Sequence, residues 1–414
     1  MITIRFCLFR SFRPLACLLL ICPTLRADEI PPADPANSRA AVKALATNKA
    51  EKYATTPLTK DDTSKALAIL LDRRVAEVKA TREAEVKDKK IKLGDLEMKF
   101  AYKIFGEKPA TGRSLFISMH GGGGAPARVN DQQYENQKGL YKPEEGVYLA
   151  PRAPSNTWDL WHQSHVDGFF ERLIEDMVVF EGVDRDRVYL MGYSAGGDGV
   201  YQLAPRMADR LAAASMMAGH PNESSPLGLR NLPFALHVGA NDSAYNRNKI
   251  AREYGDKLDG LQKADPTGYE HLVEIHPGRA HWMNLEDASA VPWMARFRRN
   301  SVPKKVVWNQ DDVTHDQFYW LAVRPGKAKA RSTVIASVEG QEIQIEKAEG
   351  VDELVIRLDD RLVDLDKPVK VTAGGKTLFE GLLARTIAGL EATLKGPGDP
   401  KLAFPSEVVV TIAR

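Results

Sequence analysis

Short, almost unbroken apolar runs recur through the middle of the chain, at 115–119, 147–150, 188–191, 212–218, 234–238 and 272–275. Most are separated by segments with apolar residues at helical spacing, at 166–180, 197–207 and 248–264. Runs this short and this apolar read as strands buried on both faces. Alternation with helices then predicts a mostly parallel sheet with helices on both sides, an α/β fold class. Segment 91–105 alternates apolar and polar positions and is expected to open the sheet as an antiparallel hairpin.

The flanks have a different texture. Residues 28–90 begin with a proline-rich linker and continue into Ala/Lys/Glu-rich sequence with helical periodicity, which predicts a helical N-terminal extension. Beyond residue 300, strand-like runs at 333–338, 342–345, 354–358, 369–372, 377–379 and 408–412 alternate with turns, including a hairpin at Gly374-Gly375. Only 384–394 reads as helix there, so 301–414 is expected to form a C-terminal, mainly-β module. At the other end, Arg5, Arg10 and Arg13 precede an apolar run at 15–21, which is too short to span a bilayer. Residues 1–27 therefore read as a signal peptide cleaved after Ala27, and the protein as secreted or periplasmic. The alternatives are an uncleaved anchor and lipidation at Cys17 or Cys22, whose preceding residues fit a lipidation site poorly.

Cleavage changes the meaning of the composition. Cys7, Cys17 and Cys22 are the chain's 3 cysteines, and all fall in the signal, so the mature chain has no disulfide or thiol chemistry. The signal also holds four arginines and no acid. Its loss takes Lys+Arg from 57 to 53 against 55 Asp+Glu, and the formal charge from +2 to −2. A near-neutral protein has no electrostatic reason to bind nucleic acid or anionic membranes. No membrane span is expected after cleavage, and the oligomeric state is not legible.

The strongest local signal is Gly192-Tyr193-Ser194-Ala195-Gly196, placed directly after the apolar run at 188–191 and before a helical segment. In a G-x-S-x-G elbow the strand-to-helix turn is so tight that glycines must flank the serine, whose hydroxyl is pushed above the sheet edge. The alternative is a coincidental glycine-rich turn. A serine hydroxyl needs a base, and the base an orienting carboxylate. On this scaffold the chain order is serine, acid, histidine. Asp242, after the run at 234–238, is the expected acid; its other reading is a turn aspartate capping the next helix. After the run at 272–275 come His276 and His281, with His281, deeper in the loop, the expected base. His276 reads otherwise as a strand-end histidine satisfied by backbone, and His237, His271 and His315 as structural.

An acyl-transfer site also needs donors for an oxyanion. The backbone N–H of Ala195 is one candidate. The others are Gly121 and Gly122, in the run of four glycines after the strand ending in His120; that run could equally be a flexible surface loop. No Lys-Ser/Thr follows the glycines, so this is not a phosphate loop. His120, Tyr193, Trp158, Trp161 and Trp282 are candidate pocket residues, the tryptophans suited to stacking on a sugar or an aromatic acyl group or, equally, to core packing. Asp311, Asp312, His315 and Asp316 show no recognised metal spacing.

The segments M-H-G-G-G-G-A-P, V-D-R-D-R-V-Y-L-M-G-Y-S-A-G-G-D, G-A-N-D and G-R-A-H-W-M resemble those of the alpha/beta-hydrolase superfamily. More narrowly they resemble secreted esterases of the feruloyl-esterase and poly(3-hydroxybutyrate)-depolymerase-like group. The resemblance covers about residues 91–300. It implies a Ser194–His281–Asp242 triad, no metal, no organic cofactor, and an ester substrate, polysaccharide-borne or polyester. The lack of cysteine in the mature chain and the module after residue 300 depart from that group. A peptidase resembling prolyl oligopeptidases is the second reading, weakened because no propeller-like repeat precedes the hydrolase region. A non-catalytic binding protein on the same scaffold is the third. The fold alone does not choose among them.

Overall fold

The computed structural model describes residues 31–396 and 398–412. The expected signal peptide and all three cysteines lie outside the described residues. Chain order begins with two helices, α1 (Pro35–Ala46) and α2 (Lys60–Asp88). Asp34 caps the first, accepting the Ala36 and Asn37 N–H groups, and Thr59 caps the second. There follow β1 (Lys90–Leu93), β2 (Leu96–Phe105), β3 (Arg113–Met119), α3 (Ala127–Gln137), β4 (Gly146–Pro151), α4 (His165–Glu181), β5 (Val183–Tyr193), α5 (Ala195–Arg206), β6 (Ala213–Met217), β7 (Phe234–Gly239), α6 (Arg247–Ala264), β8 (His271–His276) and α7 (Ala290–Met294).

These strands form one eight-stranded sheet in the order β1-β2-β4-β3-β5-β6-β7-β8. β1 and β2 form the expected antiparallel hairpin, and β2 also meets β4 antiparallel. From β4 and β3 through β8 every pairing is parallel. The central strands are buried along their whole length, which is why they read as continuous apolar runs rather than alternating ones. Helix α3 was not legible in the sequence. It carries few apolar residues and docks through buried Asn130 and Gln137 instead, the latter donating to Ser118 Oγ at 2.7 Å.

The remaining chain forms β9 (Lys305–Asn309), β10 (Gln317–Phe318), β11 (Leu321–Ala322), β12 (Thr333–Glu339), β13 (Glu342–Glu349), β14 (Glu353–Leu358), β15 (Val369–Ala373), β16 (Lys376–Gly381), α8 (Ile387–Leu394) and β17 (Ser406–Thr411). The strands split into a four-stranded sheet, β10-β11-β14-β17, and a five-stranded sheet, β16-β15-β13-β12-β9. Val306, Trp308, Phe318, Trp320, Ile343 and Ile356 fill this region, and the apolar core runs without a break into that of the large sheet.

Polar contacts bind the three regions as firmly. Arg299 is buried and bonds Asp186 at 3.0 Å and Asp399 at 2.6 Å. His315 Nε2 lies 2.7 Å from Asp167 Oδ2, and Arg74 and Arg82 of α2 both reach Glu175 of α4. Deleting one partner of such a buried pair strands a charge and costs about 3–5 kcal/mol. His315 is thus tied to α4, which packs on the large sheet. Asp311 pairs with Arg331, while Asp316 accepts the Gly326 N–H, so these side chains do not converge on one cation.

Candidate active site

The sharpest backbone feature of the fold lies between β5 and α5. Ser194 has φ 57° and ψ −121°, a sparsely populated conformation for a side chain-bearing residue. A Cβ at Gly192 would lie 2.2 Å from the Gly196 carbonyl oxygen, and one at Gly196 would lie 2.3 Å from the Met119 carbonyl oxygen. Neither carbonyl can retreat, because both belong to packed backbone. Gly196→Ala is therefore expected to cost about 3–5 kcal/mol and most activity. A thermal melt together with an activity assay checks this, and a variant as stable and active as the parent contradicts it.

The strained turn brings three distant side chains into line. His281 Nε2 lies 3.0 Å from Ser194 Oγ, and His281 Nδ1 lies 2.8 Å from Asp242 Oδ2. Asp242 is buried, at 2% exposure, while the His281 side chain is 44% exposed. The acid sits on the exit loop of β7 and the imidazole on the exit loop of β8, both at the carboxyl edge of the sheet. Asp242 does not cap α6 with its side chain; the cap position is Asn246, and Asp242 contributes only its carbonyl to Asn248 N–H. His276, the other candidate base, is buried with Nε2 facing His237 at 3.2 Å, away from the serine.

Ala195 occupies the first turn of α5, where N–H groups have no acceptor within the helix. The glycine loop closes over the same spot, because a Cβ on Gly121 would lie 3.1 Å from Ser194 Cβ. Gly122 has φ 107°, and a side chain there would strike Asn130 Oδ1 at 2.3 Å. Asn130, fully buried on α3, fixes the loop: its Oδ1 accepts the Gly123 N–H at 2.8 Å and its Nδ2 donates to Ala125 at 3.0 Å. Sequence reasoning missed Asn130, since one polar residue in a polar helix carries no periodic signal.

The expected pocket residues divide by burial. Trp158 and Trp282 are 65% and 50% exposed, the first packed against Gly123 and Gly124 and the second adjoining His281. Trp161 is instead a core residue, fully buried, with its indole N–H donating to the His120 carbonyl at 2.9 Å. His120 is also fully buried and does not line a pocket. Its Nδ1 lies 2.6 Å from the Gly121 carbonyl oxygen, and its Nε2 accepts the Ala153 N–H at 3.1 Å. The ring thus shores up the glycine loop from below. Tyr193 is likewise a strut: its hydroxyl donates to the His281 carbonyl at 2.6 Å and accepts the Met283 N–H at 3.1 Å, holding the loop that carries His281.

Burial, opposed by the bond to Gly121, pushes the His120 pKa from 6.5 down to about 4. The unfolded chain takes up this proton as pH falls through 6.5, and the folded chain only near 4. Stability from this ring is therefore complete above the unfolded value and lost as pH drops across that window, by about 3 kcal/mol in all. Urea unfolding at neutral pH and in the acid window, for the parent and His120→Gln, measures it. The same acid-dependent loss in both proteins contradicts the assignment.

No known family model matches the chain. A segment of 157 residues is 28% identical to a bifunctional acetylxylan esterase/xylanase from Neocallimastix patriciarum; the match covers 36% of this chain and spans only 23% of that relative's length. Among solved structures, a thermostable esterase aligns with TM-score 0.40 at 16% identity, over 51% of this chain and 62% of that one. A feruloyl esterase module from Clostridium thermocellum aligns with TM-score 0.32 at 15% identity, over 49% of this chain and 83% of that one. In its own strand order, its parallel pairings and its elbow between β5 and α5, the region from β1 to β8 has an alpha/beta-hydrolase fold.

Proposed function

We propose that the chain is an exported serine hydrolase that cleaves carboxylic esters. The observation that carries this reading is the unbroken relay from Ser194 Oγ through the His281 ring to the Asp242 carboxylate, set on a strained elbow. His281 Nε2 takes the Ser194 proton as Oγ attacks the ester carbonyl. Asp242 holds the Nδ1–H tautomer and steadies the imidazolium that forms. The Ala195 N–H and the Gly121-Gly122 backbone are the donors for the oxyanion. His281 then passes its proton to the leaving alkoxide, and water activated by the same ring hydrolyses the acyl-enzyme.

The substrate reading is an acyl group on a plant-type polysaccharide, or a small or polymeric ester. Its support is the acetylxylan-directed activity in the name of the Neocallimastix relative and the two exposed indoles, Trp158 beside the glycine loop and Trp282 beside the base. The reaction needs no metal or organic cofactor. Export rests on the basic start and short apolar run within residues 1–27; N-terminal sequencing of the exported protein is expected to begin at Asp28. Among the described residues no helix is long and apolar enough to cross a membrane.

Assay of p-nitrophenyl acetate, acetylated xylan, feruloylated oligosaccharides and an aliphatic polyester beside proline-containing peptide substrates tests the reading. Hydrolysis of at least one ester class, with peptides untouched, is the expected result. Peptide cleavage without ester cleavage overturns it.

A further inference from the structure

The two strands that lead to the acid and the base meet in a second cluster, one that acyl transfer does not use. His237 lies on β7 just before the Asp242 loop, and Glu274 and His276 lie on β8 just before the His281 loop. The strands are parallel, with His237 opposite Glu274 and Gly239 opposite His276. Residues two apart on a strand share a face, so Glu274 and His276 present their side chains on one side of β8. There His237 Nδ1 lies 3.2 Å from His276 Nε2 and 3.5 Å from Glu274 Oε2. One atom from each of the three residues falls within 4.8 Å of the other two.

Two imidazoles and one carboxylate form a donor set for a borderline divalent cation of the zinc kind, not for calcium or magnesium, which prefer oxygen alone. Bonds of about 2.0–2.2 Å in a tetrahedron place neighbouring ligand atoms about 3.3–3.6 Å apart. The separations of 3.2 and 3.5 Å match those edges closely. An outer shell is built behind two of the three residues. His276 Nδ1 faces Glu286 Oε2 at 3.4 Å, leaving Nε2 turned into the cluster, and Arg279 Nε holds Glu286 at 2.8 Å. Ser289 Oγ donates to Glu274 Oε2 at 3.2 Å. A carboxylate behind a ligating imidazole is the usual device for fixing its tautomer and raising its basicity. His237 is fully buried, and its Nε2 has no hydrogen-bond partner among the described residues. The Glu274 side chain is 39% exposed, so the cluster meets solvent on its carboxylate side.

We propose that His237, Glu274 and His276 bind one zinc-class divalent cation, which ties β7 to β8 beneath the loops that hold Asp242 and His281. Glu286 and Ser289 lie beyond His281 in the chain, so the site and its outer shell grip both ends of the loop carrying the base. The ion is a brace and takes no part in bond making. Binding does not depend on the esterase reading; only the bracing role rests on it.

The test uses the untagged full chain, stripped with a chelator and titrated with Zn²⁺ against a chromophoric competitor. One tight equivalent per chain is expected, with a rise in Tm on Zn²⁺ addition. Co²⁺ in its place should give the visible bands of a tetrahedral site. Glu274→Gln and His276→Gln, each verified as folded by circular dichroism, should weaken binding at least 100-fold and abolish the Tm response, and Glu286→Gln should weaken it about 10–100-fold. Glu274 is partly exposed, so its variant decides the matter even if the His276 variant misfolds. No stoichiometric Zn²⁺ on the parent, or unchanged binding in folded Glu274→Gln, overturns the proposal and leaves a hydrogen-bonded histidine pair. Ester hydrolysis is read separately, so failure of the metal site and failure of the esterase reading are distinguishable.

Discussion

Ser194→Ala should lower kcat on an aryl ester by about 10⁶-fold, with KM and Tm almost unchanged. Alanine keeps the Cβ that the elbow already accommodates, so the strained turn and the packing of Gly192 on Gly196 survive. Only Oγ is removed, and with it the covalent route. The glycine loop and the N-terminus of α5 remain to bind substrate and polarise its carbonyl, which leaves a residual rate above that in water. Parallel measurement of kcat, KM and melting separates this loss from unfolding. A fall of only a few-fold would mean that the hydroxyl at the elbow is not the nucleophile.

Asp242→Asn ranks second, with an expected loss of about 10⁴-fold in kcat. The amide is nearly isosteric, so the exit loop of β7 keeps its shape. It can, however, donate a proton toward His281 Nδ1 where the carboxylate only accepts at 2.8 Å. The ring is then driven into the tautomer that carries its proton on Nε2, the atom 3.0 Å from Ser194 Oγ, where it can no longer serve as a base. At 2% exposure no water can replace the lost charge. Steady-state kinetics at alkaline pH are the check, and a loss below about tenfold would show that the carboxylate neither orients nor steadies the imidazole.

The large sheet was legible because its central strands are buried on both faces, which leaves continuous apolar runs that only strands of that length produce. The elbow was legible because its glycines are forced by carbonyl contacts that no side chain can share. Chain order then singled out Asp242 and His281 from the acids and histidines available, and the structure brings both to Ser194. Burial was harder to read. Trp158 and Trp161 lie in one short loop and look alike, yet one is exposed and the other hangs from the His120 carbonyl inside the core. His120 was placed by its neighbours in the glycine loop, but its role depends on the Ala153 N–H, which reaches it from beyond β4. The cluster at His237 eluded the sequence for the same reason. Glu274-x-His276 carries a period of two, but its third member comes from another strand whose register no local pattern reveals.

Every step of the proposed reaction passes through one group, the Ser194 hydroxyl acting as an activated nucleophile. Labelling with a fluorophosphonate, followed by peptide mass mapping, measures that directly. A single adduct on Ser194 is expected, lost in Ser194→Ala and formed far more slowly in a His281→Ala variant. Absence of an adduct from the folded parent, or an adduct on a different serine, would contradict it.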